Sequence, residues 1–437
     1  MQSVDLPPPY ALHLDEAQTP LEKVILFGRH FLLCCTLFFI TPQPKFMPPF
    51  MIAGTIFSLA DLFLRRKQIH WKAYWPLLLT ILCLVLPLCY IPASIDPVNT
   101  QRVLAMRISY LLAPIMFAGL RPSRAWGVSI VVGAVFAFFL CLSVALYHSL
   151  YWTGELVFYP YTHALTIPND WLDPNRFFYT GLLAPLRLWP AYFGFGQVLS
   201  IIFLTSWFLE KDTWRKRIPT LLIGSICLTA LYLSSNRIGQ LALFSVLLVA
   251  LVGKVFFAKK VAWYLKLGGV IALLAIVAVL SFSRFRIFVD ESRAHASEGL
   301  EAMIRANARG EIYLTAWEHR DEFLPWGLGA GAQAAFLKKH HLDNYDHIVF
   351  MHNEFLDLTV EMGIVGSLLF LVWMGLPFLY YRRFSFGQKM LWLVILIIIQ
   401  AESVSVGYQF AMIIAYIYNL LWVYAIEYKH TANLVPL

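Results

Sequence analysis

Apolar runs of about 20 residues recur along this chain from Val24 to Ile426. A run of that length lets an α-helix cross the hydrocarbon core of a bilayer, where each backbone N–H and C=O must find its partner inside the segment. Hydrophobic residues make up 59% of the 437 residues and charged residues 14%, against about 25% charged in a soluble domain. Too little polar surface remains to cover a water-facing shell. The sequence therefore predicts an all-α, polytopic membrane protein rather than a string of soluble domains. The net charge of +8 would suit nucleic acid only if it were pooled on one surface. The basic residues instead sit in short clusters between apolar runs, so no nucleic-acid partner is expected.

About 12 spans are expected, at Val24–Ile40, Pro48–Leu64, Tyr74–Ile91, Val103–Leu120, Trp126–Tyr147, Tyr192–Leu209, Ile218–Leu233, Leu241–Phe257, Ala262–Phe282, Thr359–Tyr381, Met390–Val406 and Phe410–Ile426. Their ends lack the caps of soluble helices. Arg65, Arg66, Lys67 and Lys72 follow the second span, Arg121 and Arg124 the fourth, and Lys211, Arg215, Lys216 and Arg217 the sixth. Lys259 and Lys260 follow the eighth, Arg382, Arg383 and Lys389 the tenth, and Lys429 the twelfth. The alternate short connections carry Lys45, Arg102 and Arg237 singly, and Gly407–Gln409 carries no basic residue. The basic-rich side is expected in the cytoplasm, with both termini. The predicted layout is a cytoplasmic tail over residues 1–23 without a cleavable signal, nine spans over 24–283 with an outer loop near 148–191, a larger outer loop over 284–358, and three spans with a short tail over 359–437. The six cysteines all fall inside apolar runs and read as small buried hydrophobes, not as a disulfide framework.

The larger outer loop holds most of the residues with chemical promise. Ser292 to Phe323 reads as helix, with Met303, Ala306, Tyr313 and Trp317 at helical spacing, and Pro325 and the Gly327–Gly331 run end it. Arg305, Arg309 and Arg320 would lie near one face of that helix, either as a solvated face or as an anion cradle. Arg237, at the outer boundary of the eighth span, either snorkels to headgroups or binds an anion, because a guanidinium presents a planar donor fork that matches phosphate oxygens. His352 is either a satisfied interfacial residue or a general base. His340, His341, Asp343, Asp346 and His347 form a polar cluster whose spacing matches no compact metal signature, so no metal is expected there. The glycine run follows no strand and does not read as a nucleotide loop. Arg29, His30, Arg107 and Glu402 fall inside spans, where ionisable groups either line a cavity or pair with one another.

Three segments resemble the O-antigen ligase and polymerase superfamily of bacterial membrane glycosyltransferases. Ser235-Asn236-Arg237 is similar to its "S-R" corner, with Asn where Ser is commoner. Arg309 through Trp317 followed by Pro325-Trp326-Gly327-Leu328-Gly329 resembles its "R…W…P-x-G-x-G" pattern. His352-Asn353-Glu354-Phe355-Leu356 followed by Glu361-Met362-Gly363-Ile364-Val365-Gly366 resembles "H-N-x-x-L…E-x-G-x-x-G". The resemblance is closest to the ligases. It implies transfer of a glycan from undecaprenyl diphosphate to the lipid A-core oligosaccharide at the periplasmic face of the bacterial inner membrane, with no cofactor and no metal. It also implies His352 as the base and Arg237, Arg309 and Arg187 as diphosphate contacts. A polymerase, a protein O-glycosyltransferase and, from another class, a lipid-linked glycan transporter remain alternatives at this point.

Overall fold

The computed structural model describes residues 19–66, 74–148, 182–183, 186, 188, 190–210, 213–234, 236–251, 308–342, 351–380, 384–402 and 408–432. Every regular element among them is helical. The first half holds α1 (Pro20–Phe38), α2 (Met47–Leu64), α3 (Trp75–Cys89), α4 (Pro97–Arg107), α5 (Ser109–Phe117) and α6 (Arg124–His148). Then come α7 (Pro190–Glu210), α8 (Trp214–Leu233) and α9 (Arg237–Leu251). The outer loop contributes α10 (Ala308–Glu318) and α11 (Gln333–Lys339), and the chain continues through α12 (Glu354–Tyr380), α13 (Phe386–Ala401) and α14 (Tyr408–Ala432). The expected ninth span, Ala262–Phe282, lies outside the described residues, as do most of residues 149–189 and the loop up to residue 307.

Among the described residues, four helices are long and apolar enough to cross a membrane: Pro44–Leu64, Arg124–Tyr147, Pro190–Phe208 and Glu354–Tyr380. Trp75–Cys89, Arg217–Leu233, Ile238–Leu248, Phe386–Gln400 and Gln409–Ala425 are shorter apolar helices. At the centre runs α14, whose side chains from Phe410 to Val423 are all buried, as expected of a helix that is apolar all round. The outer helices show the reverse: α2 exposes Ile52, Ile56, Leu59 and Phe63 in one stripe, and α12 exposes Ile364, Leu368, Leu371 and Val372. Apolar stripes turned outward are what lipid, not water, would cover.

Two sequence expectations are corrected. The fourth run is not one helix but α4 and α5, which meet at Ile108. Caps of the soluble type are also present. Thr19 and Glu22 form a capping box on α1, as do Ser385 and Gln388 on α13, and the Asp96 side chain caps α4. The first-turn N–H groups of a helix lack intrahelical partners whatever surrounds its middle.

Side-chain contacts tie several connections to one another. Gln43 donates to the Leu186 carbonyl, Ser94 and Asn99 bond the carbonyls of Ala330 and Gly331, Asn236 donates to the Pro190 carbonyl, and Asn353 donates to Gln400. Elsewhere Arg65 and Arg29 share Asp61, Arg29 also donates to the Ala118 carbonyl, Tyr424 donates to Ser123, and Arg124 lies over Trp207. Ionisable residues inside the bundle therefore pair structurally. Arg29 Nη1 lies 2.5 Å from Asp61, and His30 stacks on Trp126.

A further such pair is Arg107 with Glu361. Both side chains are fully buried, Nη1 lies 2.7 Å from Oε2, and Nη2 donates to Oε1 at 2.9 Å. Gly331 N–H and Gln333 Nε2 donate to the same Oε1 at 3.0 and 2.6 Å. Glu361→Ala should strand a buried guanidinium and cost about 3–5 kcal/mol. Thermal unfolding of the purified protein in detergent should show a clear drop in Tm, and an unchanged Tm would contradict the pair.

Candidate active site

The site is built where the outer loop rejoins the bundle. The path of α12 is the starting point. Gly363 takes φ 60° and ψ −135°, which breaks the helix in its third turn below the loop. The carbonyls and N–H groups released by the break do not stay empty. Leu328 N–H donates to Val360 O at 2.8 Å, Gly329 N–H to Glu361 O at 2.9 Å, and Ile364 N–H to Pro325 O at 2.9 Å. The strap Pro325–Gly329 thus completes the helix's own ladder, as buried backbone polar groups require. Gly329, at φ 95°, runs so close to Ser94 that a Cβ would meet its backbone, and a Cβ on Gly363 would meet Pro325. These are the glycines and proline of the two loop motifs, and their work here is to lock the loop onto α12.

That lock places three elements together. On α10, Arg309 and Tyr313 lie one turn apart on the same face. Ahead of α12 stand Met351, His352 and Asn353. At the end of α13, Glu402 leaves the helix in extended backbone, φ −143° and ψ 144°. Arg309 Nη2 lies 3.2 Å from Glu402 Oε1, and His352 Nδ1 lies 3.5 Å from Glu402 Oε2. One carboxylate therefore bridges the arginine and the histidine. It is buried beneath them, with a side chain 9% exposed against 39% for Arg309 and 20% for His352.

The backbone of His352 is in the left-handed region, at φ 53°, which costs a non-glycine residue about 1–2 kcal/mol. Its neighbours hold it there. Met351 N–H donates to Asp357 Oδ1 at 3.1 Å, Tyr313 Oη–H donates to the His352 carbonyl at 3.1 Å, and Asn353 Nδ2 donates to the Gln400 carbonyl at 3.2 Å. Asn353 Oδ1 also accepts from Leu356 N–H and caps α12. Burial pushes the Tyr313 phenol above its ordinary range, against the opposite pull of Arg309, so it stays an O–H donor. A residue held in a sparsely populated conformation by several bonds fits a pre-organised site. Chemically, the Glu402 carboxylate 3.5 Å from Nδ1 would stand beside any positive charge that forms on the His352 ring.

The sequence-derived residues fare differently. Arg309 and His352 come together, through Glu402. Arg237 begins α9, but its side chain lies outside the described residues. Arg187 and Arg305 lie outside them as well. Asn236, the departure in the "S-R" corner, donates to Pro190 O at 2.6 Å and accepts from Gly239 N–H at 3.0 Å. It caps α9 and ties it to the start of α7, so the substitution keeps the corner's architecture. Arg320 does not join the arginine face, because α10 ends at Glu318 and a 3-10 turn follows. Its guanidinium lies 4.9 Å from the centre of the Trp317 ring. Asp343, Asp346 and His347 lie outside the described residues, and His340 meets His319 and Glu322 instead. Sequence reading left Glu402 without a role. The signal was a carboxylate near the end of an apolar run, and its partners are separated from it by 50 or more positions.

Residues 220–371 match the Wzy_C family model, described as O-antigen ligase. The match runs from α8 through the strap into α12. It takes in Arg237, Arg309 and His352 and stops short of Glu402. No curated protein matches the chain.

Asn353→Ala should remove the α12 cap together with the tie to Gln400, at a cost of about 1–2 kcal/mol. Hydrogen exchange should quicken at the N-terminal turn of α12; unaltered protection there would count against the arrangement.

Proposed function

We propose that this protein is an O-antigen ligase. In this reading it transfers a glycan from undecaprenyl diphosphate to the lipid A-core oligosaccharide, in lipopolysaccharide biosynthesis. The protein crosses the bacterial inner membrane about 12 times, both termini are cytoplasmic, and the site faces the periplasm. The observation that carries the reading is the Arg309–Glu402–His352 chain within reach of the lipid-facing α12.

The chemistry follows from the groups present. His352 Nε2 takes the proton of an acceptor hydroxyl as its oxygen attacks the anomeric carbon. The bond from that carbon to the diphosphate oxygen breaks, and undecaprenyl diphosphate leaves with the electron pair. One displacement inverts the anomeric configuration. A diphosphate is a good leaving group, so no acid is needed to protonate it, unlike the two-carboxylate arrangement of inverting glycosidases. Arg309, with Arg237 and Arg187, holds the diphosphate and stabilises its growing charge through charge-assisted hydrogen bonds, without a metal or other cofactor. Glu402 orients the imidazole and stabilises the imidazolium. Before the donor arrives, it also holds the half-exposed Arg309 near the site.

Deleting the gene and resolving lipopolysaccharide on a gel tests the reaction. Full-length glycan retained on the polyprenyl carrier is the expected result. Core bearing a single repeat would mark a polymerase, and a normal ladder would exclude both. For the residues, His352→Ala should lower transfer by about 10²–10⁴-fold in folded protein. Unimpaired glycan movement in that variant would favour a transporter. Arg309→Lys keeps the charge but loses the fork and should lose most activity; full activity would remove Arg309 from the diphosphate site.

A further inference from the structure

Apart from the Arg309–Glu402–His352 chain, the outer loop carries a second cluster of chemically active side chains. His319 follows α10, Glu322 lies in the 3-10 turn after it, and His340 caps the far end of α11. Phe323 and Phe336 pack edge to face beneath, and the Phe336 ring lies against His340. The two imidazoles stack with centroids 3.8 Å apart. His319 Nδ1 lies 3.6 Å from Glu322 Oε1, and His340 Nε2 lies 3.3 Å from the same oxygen. A ligand atom from each of the three residues lies within 4.8 Å of the others.

We propose that His319, Glu322 and His340 bind a divalent ion of the zinc class. The geometry carries the argument. Zinc takes nitrogen and carboxylate ligands at about 2.0–2.1 Å in a tetrahedron, so neighbouring ligand atoms sit roughly 3.4 Å apart. The distances of 3.3 and 3.6 Å match that edge. Lys339 Nζ sits 2.9 Å from Glu322 Oε2 and holds the carboxylate, whose two oxygens each lie 3.3 Å from His340 Nε2 and whose Oε1 also faces His319. Two imidazoles with one carboxylate select a borderline transition metal over magnesium or calcium, which prefer all-oxygen sets. Exposure is graded from 11% at His340 through 27% at Glu322 to 42% at His319. One side is therefore open for the ion to enter and for water to fill the fourth position.

The site would cross-link the end of α10 to the end of α11. Because α10 carries Arg309 and Tyr313, the ion would stiffen the element that presents them without touching the reacting groups. This role is independent of the proposed transfer reaction, and its test uses binding and stability rather than activity.

Full-length protein, purified without a histidine tag, stripped with chelator and dialysed against Zn2+ alone, should retain one more zinc per chain than the His319→Ala/His340→Ala double variant. Zinc should raise the Tm of the wild type, because a ligand that binds only the folded form stabilises it, and should raise that of the double variant less. If the double variant does not purify as folded protein, His319→Ala decides, since that side chain is half-exposed; it should bind zinc at least about tenfold more weakly. Equal zinc content in the wild type and a folded variant, or no zinc on the wild type, would overturn the proposal and leave an ion-paired cluster.

Discussion

The break in α12 at Gly363 is the constraint on which the rest of the outer face depends. A helix interrupted inside a membrane protein exposes backbone groups that lipid cannot satisfy, at several kcal/mol each. Here the strap Pro325–Gly329 supplies the missing partners through three backbone hydrogen bonds. The break and the loop therefore need one another. Glu361, two residues before the break, adds the second fastening by pairing with buried Arg107 and accepting from Gly331 and Gln333. Through the strap and Ser94, the turn between α3 and α4 is drawn into the same lock.

The site hangs on that lock. With the strap seated, α10 lies over the N-terminus of α12, Tyr313 reaches the His352 carbonyl, and Arg309 reaches Glu402. The three charged or titratable groups come from three separate elements, and none is placed by its own local structure alone. The strain at His352 is sustained because the Met351 N–H, the His352 carbonyl and the Asn353 side chain are each bonded to a different element. The motif residues thus divide by task. Pro325, Gly327, Gly329, Glu361 and Gly363 hold the frame, while Arg309 and His352 face the open side.

The buried arginines show how two similar sequence features part in three dimensions. Arg29 and Arg107 both looked like polar groups inside spans. Both are fully buried on carboxylates, Asp61 and Glu361, where they join helices rather than line an open cavity. Glu402 looked no different in sequence, yet it lies buried beneath two part-exposed groups, Arg309 and His352, and joins them. The difference is depth and neighbours, which a single run of residues does not encode.

Much was legible from the chain itself. Apolar runs of about 20 residues pointed to the helical class, because a helix of that length satisfies its backbone within the segment. The glycines and the histidine of the loop motifs fall where the loop is fastened to α12. Tertiary structure alone decided that α12 is broken and spliced to the strap, that the fourth run is two helices, that Arg320 leaves the arginine face, and that Glu402 bridges Arg309 to His352. The splice and the Glu402 bridge depend on contacts between residues far apart in sequence, and neither periodicity nor local charge reports which distant partner satisfies a given buried group.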